Sequence, residues 1–338
     1  MRRTLLSLLM VAVAVLAING SAIAQTPPPV IIPADDPPGT FIPVVLATDE
    51  FSAIQGGDWI SDFVDQMDNQ FLQQWAFRPS LPTTIYLFGS GDALANGFAM
   101  ITDQALTVPE LELIANVDRS YFVLDQRTGG YAVLVNLLPD FGTQAWMEEV
   151  RAAIYHGYAL AMERDRAGEA GPSWYREGLA WFIAYTNAPG APSLSRRVQA
   201  AATLNAQGTL PSLSDLSDED NFSSFTSASP QTRDAAFGFA YLAINLMSPV
   251  GGLTLLNVLV DAQGPQNFEE ALLDRTGFTV EQLSTQTKLR MPAPGAVAVL
   301  TPEPLVAGAT PLPVGVPALV PSLQQPQGPV QEENNSLP

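Results

Sequence analysis

Cysteine is absent from the 338 residues of this chain, and histidine and lysine each occur once, as His156 and Lys288. The lack of cysteine excludes disulfide bonds, thiolate metal sites, a cysteine nucleophile and lipidation of an N-terminal cysteine. A single histidine excludes any metal site that needs two imidazoles, and it leaves His156 as the only base that a serine triad could use. The folded part must therefore rely on its hydrophobic core for stability.

Positive charge is also scarce, because 15 Lys and Arg residues face 34 Asp and Glu residues, for a formal net charge of −19. A surface this acidic argues against binding to nucleic acid and to anionic membranes. We therefore expect partners other than nucleic acid.

The first 24 residues are typical of a secretory signal peptide. Arg2 and Arg3 precede an apolar run from Leu5 to about Ile18, and small residues end at Ala24. The apolar run is shorter than the roughly 20 residues of a membrane span, so cleavage after Ala24 is favoured and an uncleaved N-terminal membrane anchor is the alternative. We expect a secreted or extracytoplasmic protein with no transmembrane span after cleavage.

Two proline-rich stretches flank the middle of the chain. Residues 25–39 are predicted to form an extended spacer, and residues 292–338 a disordered tail. With 47% hydrophobic residues, the chain can form one large core. A single domain over residues 40–291 is therefore predicted, and nothing in the sequence indicates its oligomeric state.

Hydrophobic patterning divides this domain into two halves. The first half is predicted to contain strands at 41–46, 83–88, 121–124 and 131–137, with helices at 58–75 and 92–100. The last two strands, joined through Gly129 and Gly130, are typical of a hairpin. The second half is predicted to contain helices at 143–166, from 172 onward, and at 194–204, 234–247, 253–260, 267–276 and 279–291, with a solvated acidic loop at 211–230. The expected fold class is α+β, with an N-terminal mixed β-sheet and helices followed by a mainly helical half.

Two motifs stand out in the helical half: A-A-I-Y-H at 152–156 and W-Y-R-E-G-L-A at 174–180. This pair resembles the metal motifs of gluzincin (thermolysin-like) zinc peptidases, and over residues 40–291 the chain is similar to their peptidase-MA-like domain. In that family, a helix with His-Glu-x-x-His supplies two zinc ligands and a general base, and a second helix adds a glutamate. The resemblance implies a gluzincin-like fold.

Other stretches resemble this family in their order along the chain. They are L-P-T-T-I-Y-L-F at 81–88, A-V-L-V-N at 132–136, G-T-L-P-S-L at 208–213, F-E-E-A-L at 268–272 and T-G-F-T-V-E-Q at 276–282.

The metal motif is degenerate. Ala152 stands at the first histidine position and Ala153 at the general-base position, while His156 and Glu177 match the remaining two ligands. The resemblance thus implies a vestigial site of Ala152, His156 and Glu177, with no catalytic residue and no zinc or other cofactor. A zinc site of Glu149, His156 and Glu177 is the alternative, but Glu149 lies about 10 Å along the helix from His156.

A purely structural role for His156 and Glu177 is an alternative to metal binding. His156 and Glu177 can form a buried imidazole–carboxylate pair that stabilises the fold. The connector between them is long enough to set their helices antiparallel, and Gly178 is predicted to let these two helices approach closely. The acidic stretch Asp215–Asp220 lacks the ligand order of an EF-hand loop.

Together, these features predict a secreted, catalytically inactive peptidase-like protein that retains the fold as a peptide-binding, protein-binding or structural module. A peptide or an envelope protein is the implied partner, because a substrate-aligning edge strand works through backbone hydrogen bonds and needs no metal. The alternatives are an active zinc metallopeptidase with an atypical site and an extracellular scaffold without a functional cleft.

Overall fold

The computed structural model describes residues 41–296 apart from 108–109, 111–112, 114–117 and 138–141. The predicted signal peptide, the spacer and nearly all of the predicted tail lie outside the described residues. The strands are β1 (Val44–Ala47), β2 (Thr83–Phe88), β3 (Ser120–Leu124) and β4 (Tyr131–Asn136). The helices are α1 (Glu50–Trp75), α2 (Gly91–Thr102), α3 (Gln144–Ala167), α4 (Ser173–Asn187), α5 (Pro192–Ala206), α6 (Glu219–Ser227), α7 (Pro230–Met247), α8 (Gly252–Ala262), α9 (Phe268–Thr276) and α10 (Val280–Arg290). The predicted α+β fold class, with a mixed sheet and a mainly helical second half, is confirmed.

The sheet has the strand order β1-β2-β4-β3. Strands β1, β2 and β4 run parallel, and β3 is antiparallel to β4 at one edge. The hairpin turn closes where Asp125 N donates to the Gly130 carbonyl at 2.8 Å, and Gly129 adopts a φ of 70° that favours glycine. Every residue of β2 and β4 is buried, because helices cover both faces of these central strands.

Helix α1 begins at Glu50, so the predicted start at 58 is wrong. Asp49 and Ser52 form a capping box, in which Ser52 N donates to Asp49 Oδ1 at 2.7 Å and Asp49 N donates to Ser52 Oγ at 3.1 Å. This cap satisfies two of the backbone donors that a helix start leaves free. The extra turns form despite Gly56 inside the helix, because its missing side chain leaves room for Ile60.

The predicted loop at 211–230 is also wrong, because this stretch contains a 3-10 turn at Asp215–Ser217 and helix α6. Asp218 is the N-cap of α6 and accepts from Asn221 N at 2.9 Å. Phe222 and Thr226 are buried and attach the helix to the core. The acidic residues that suggested a solvated loop therefore mark a helix start.

The N-terminus of α4 differs in detail from the prediction. Pro172 is the N-cap residue and makes no side-chain cap bond, while Ser173 is the first helical residue. Ser173 Oγ instead donates to Glu219 Oε2 at 2.6 Å. Ser173 thus attaches α4 to α6.

Helix α3 runs beneath the sheet and packs against α4. A Cβ on Gly157 would lie 2.4 Å from Val133 Cγ1, so this glycine lets α3 approach β4 closely. A Cβ on Gly178 would lie 2.8 Å from the Ala240 carbonyl oxygen. Gly178 therefore serves the contact between α4 and α7, and its predicted role between α3 and α4 is wrong.

Within the described ranges, no single helix is both long and apolar enough to cross a membrane. The segments Pro230–Val250 and Gly252–Ala262 meet those criteria of length and composition only when combined, and they are bent by 109°.

Candidate functional site

The residues of the predicted vestigial site lie where α3 and α4 meet. The connector at 168–172 is short, so the two helices form an antiparallel hairpin. His156 on α3 and Glu177 on α4 thereby face each other, with His156 Nε2 and Glu177 Oε2 2.9 Å apart. The imidazole–carboxylate pair suggested by the sequence is present.

Glu177 is the partly exposed member of this pair, while His156 is buried. Burial works against the ionised form of Glu177, but His156, Arg233 and Arg197 together outweigh burial and lower the pKa of Glu177. The pair therefore holds a carboxylate in place rather than a neutral acid.

Trp181 covers the ring of His156. The imidazole and indole centroids are 3.8 Å apart and their planes differ by 17°. The guanidinium carbon of Arg197 lies 3.5 Å from the indole centroid. Two groups at stacking distance cannot occupy the same face of the indole, so Trp181 is held between His156 and Arg197.

Arg197 is fixed in this stack by a buried network. Its side chain is 1% exposed, and its Nη2 donates to Asp118 Oδ1 at 3.0 Å. It also donates to Tyr185 Oη at 2.7 Å and, from Nε, to Asp234 Oδ1 at 3.4 Å. Burial works against the charged guanidinium, but Tyr185, Asp118 and Asp234 outweigh it and raise the pKa of Arg197. Arg197 is therefore a permanent buried cation.

The two alanines of the degenerate motif are buried in the core. Ala152 lies one helical turn before His156, and Trp181 lies one turn after Glu177 on the antiparallel helix. Ala152 and Trp181 are therefore at the same level of the helix pair. The indole stacks on the face of His156, and the alanine side chains at 152 and 153 provide neither a metal ligand nor a general base.

Glu149, the third ligand of the alternative metal site, binds a backbone group instead. Glu149 is buried, and its Oε2 accepts from Ser193 N at 3.0 Å. No group of three or more His, Cys, Asp or Glu residues that could hold a metal ion occurs in the described part of the chain. The side chains around His156 in the described ranges therefore do not fit the three protein ligands of a catalytic zinc.

A cavity of about 380 Å³ lies between β3 and the helices beside the pair. Every residue of β3 lines it. From the helices, the polar lining includes His156, Glu163, Arg176, Glu177 and Arg233. The vestigial site is thus one wall of a cleft whose opposite wall is the edge strand.

Strand β3 presents free backbone groups at this edge. Asn136 N donates to the Arg119 carbonyl, and Asp125 N donates to the Gly130 carbonyl, each at 2.8 Å. Because successive residues of a strand alternate in direction, Ser120, Phe122 and Leu124 direct their N–H and C=O groups away from β4. Among the described residues, β4 is the only strand that pairs with β3.

Glu163 is a site residue that the sequence analysis missed. It is 2% exposed, and neither of its carboxylate oxygens has a hydrogen-bond partner among the described residues. Burial raises the pKa of Glu163 well above its ordinary value, repulsion by Glu177 adds to the rise, and Arg176 opposes it. Burial therefore favours the protonated form of Glu163 when no cation lies beside it.

Local spacing could have indicated two of the missed residues. Glu163 is seven residues from His156, and Trp181 is four residues from Glu177, so each lies on the same helix face as its neighbour. Arg197 gives no such signal, because its partners come from distant parts of the chain.

No protein-family model, curated protein or solved structure matches this chain. The resemblance to peptidase-MA-like domains therefore stays a prediction that depends on the order and spacing of the motifs.

Proposed function

We propose that this chain is an exported, catalytically inactive relative of gluzincin peptidases that binds extended peptides along strand β3. The bound segment would be a free peptide or an extended part of an envelope protein. The observation that carries this proposal is the free backbone edge of β3, which forms one wall of the cleft.

A peptide in this cleft would add a further strand to the sheet. Three residues of β3, Ser120, Phe122 and Leu124, offer outward N–H and C=O groups at alternate positions. Backbone hydrogen bonds of this kind bind an extended chain with little regard to its sequence, while the cavity beside the strand selects side chains.

The proposal of an inactive protein depends on the groups beside that strand. Ala153 stands where the family has its general base, and Trp181 stacks on His156. Peptide hydrolysis by a metal-bound water needs both an open metal position and a base. We therefore expect bound peptides to be released intact.

A proline scan of the strand edge tests this proposal. Leu124 is 45% exposed, and its N–H points outward, so Leu124→Pro removes one donor without breaking the β3–β4 ladder. Leu124→Ala is the matched control, because it shortens the side chain and keeps the donor. Binding is measured by fluorescence anisotropy with a library of acetylated, amidated decapeptides, and peptide integrity by mass spectrometry.

We expect library members to bind the wild-type protein and Leu124→Ala with affinities within about threefold of each other. Leu124→Pro should bind at least about tenfold more weakly, because it loses a hydrogen bond and places a ring in the path of the peptide. The proposal is wrong if no decapeptide binds or if Leu124→Pro binds as well as the wild type. Cleavage of the bound peptides would contradict the inactive assignment.

A further inference from the structure

The carboxyl group of Glu163 forms an unsatisfied part of the cavity wall. His156, Leu160 and Glu163 all line the cavity, and their spacing of four and three residues places them on one face of α3. Glu163 is 2% exposed and lacks any hydrogen-bond partner in the described part of the chain. Buried polar groups are usually satisfied, so a carboxyl without a hydrogen-bond partner in a cavity wall is available to a donor group of a ligand.

The cations that line the cavity have carboxylate partners of their own. Arg233 donates to Asp118 Oδ2 at 2.6 Å, and Arg164 pairs with Glu169. Glu163 pairs with none of the cations in the described ranges.

Arg176 also lines the cavity, but its polar contacts are with Ser173 and Glu219. Its Nη2 donates to Ser173 Oγ at 2.9 Å and lies 3.4 Å from Glu219 Oε1. Its Nε is buried and makes no hydrogen bond with the described residues, Glu163 included. Arg176 therefore leaves Glu163 unsatisfied.

A second carboxylate faces the same space. Glu177 Oε2 is bound to His156, while Glu177 Oε1 makes no hydrogen bond with the described residues. The ionised Glu177 attracts a cation, and a cation held there would favour the ionised form of the neighbouring Glu163. A metal ion is disfavoured, because no set of three ligands is present within the described ranges. A primary ammonium fits better, since it brings three N–H donors and needs only acceptors.

We propose that this cavity binds the primary ammonium group of a ligand, specifically the lysine side chain of a peptide, between Glu163 and Glu177. The lysine peptide rests on the proposed function, whereas the ammonium site can be tested without any peptide. The chain cannot fill the site from its own lysine, because Lys288 is the only one and its Nζ donates to the Leu210 carbonyl at 2.8 Å. The strongly negative net charge of −19 favours the approach of such a ligand.

The single histidine provides a reporter for this site. His156 gives the only histidine ring signal in a carbon–proton NMR spectrum of the whole protein, and it adjoins Glu177. The probes are n-butylammonium, which imitates a lysine side chain, n-butanol, which has a similar shape without charge, and butyltrimethylammonium, which has charge but no N–H. We expect a saturable shift with n-butylammonium at a Kd at least tenfold lower than with either control.

Two variants distinguish a specific contact with Glu163 from the general attraction of cations to an acidic protein. Glu163→Gln keeps the size of the side chain, and it should weaken n-butylammonium binding at least tenfold. Glu169→Gln removes an exposed carboxylate at the same cavity and should leave the Kd within about twofold of the wild type. Equal binding of n-butylammonium and n-butanol, or unchanged binding by Glu163→Gln, would overturn the inference.

Peptides distinguish this inference from the proposed function. Decapeptides with lysine should bind the wild type more tightly than matched peptides with norleucine, and the difference should vanish in Glu163→Gln. Equal binding of both peptides would leave the proposed function standing and refute the ammonium site. Binding of n-butylammonium without binding of any decapeptide would refute the proposed function and leave the ammonium site standing.

Discussion

The imidazole of His156 lies flat on the indole of Trp181, with ring centroids 3.8 Å apart. The two side chains come from antiparallel helices, and Ala152 is at the same level of the helix pair as Trp181. Arg197 lies on the other face of the indole. His156 is therefore fixed in a stack of aromatic and cationic groups.

The stack predicts that restoring the zinc motif requires the removal of Trp181. The variant Ala152→His/Ala153→Glu alone should gain no zinc affinity, because the indole still covers His156. Adding Trp181→Ala should produce measurable zinc binding, since it opens the space for three ligands. Competition with a chromogenic chelator measures the affinity.

The control for zinc binding is the same triple variant with Glu177→Ala, which should lose the added affinity. If the triple variant fails to bind zinc, the alignment of this chain with the gluzincin motif is wrong. Equal zinc binding by the double and triple variants would show that Trp181 does not block the site.

Two neighbouring arginines offer a matched test of the buried network. Arg196 and Arg197 both pair with Asp234, but their side chains are 42% and 1% exposed. Arg197→Ala removes the fully buried partner of Asp118 and Asp234, which keep only the more exposed Arg233 and Arg196, so we expect a loss of about 3–5 kcal/mol in the free energy of unfolding. Arg196→Ala should cost about 1 kcal/mol or less. Urea denaturation measures both values, and similar losses would contradict the assignment of Arg197 as the cation that anchors the stack.

Glu163 predicts a specific dependence of stability on pH. Its pKa is raised well above 4.5 in the folded state, mainly by burial, so the folded protein binds a proton that the unfolded chain releases. This group therefore makes folding less favourable as pH rises above about 4.5, until the folded-state pKa is passed. Glu163→Gln should remove the penalty and raise the free energy of unfolding by about 1–3 kcal/mol at pH 8. At pH 4, the variant and the wild type should be nearly equal.

The control for this pH effect is Glu169→Gln. The pKa of Glu169 is lowered by its hydrogen bond with Arg164, so this carboxylate favours folding above its ordinary pKa, and its loss cannot stabilise the protein. Thermal unfolding between pH 4 and pH 8 measures both variants. A pH-independent effect of Glu163→Gln would show that Glu163 is not protonated in the folded state.

Local signals account for the elements that the sequence predicted well. Strand β2 matches the predicted limits of 83–88 because its six residues are a buried β-rich run between turn residues. The β3–β4 hairpin was predictable from its glycine turn, and α3 from its apolar stripe. The start of α1 and the whole of α6 were missed because each helix begins after an aspartate N-cap. Acidic residues judged by composition alone favour a loop.

The candidate site was predictable only in part. His156 and Glu177 could be paired from their motifs, because two adjacent helices in a hairpin bring them together. The network of Arg197 could not, since Asp118, Tyr185 and Asp234 reach it from different parts of the chain. The spacing of Glu163 places it on the same helix face as His156. Its burial and its lack of a hydrogen-bond partner among the described residues are visible only in the structure.

The sequence by itself determined which chemistry is missing: no cysteine, one histidine and an alanine at the general-base position of the resembled motif. These limits are chemical, so no folding can change them. Only the tertiary structure decided how the remaining groups are arranged. Among the described residues, the stack on Trp181, the unpaired edge of β3 and the lack of a partner for Glu163 depend on how the elements pack together. The residue types determine which chemical groups are available, and the packing of the chain determines which of these groups come into contact.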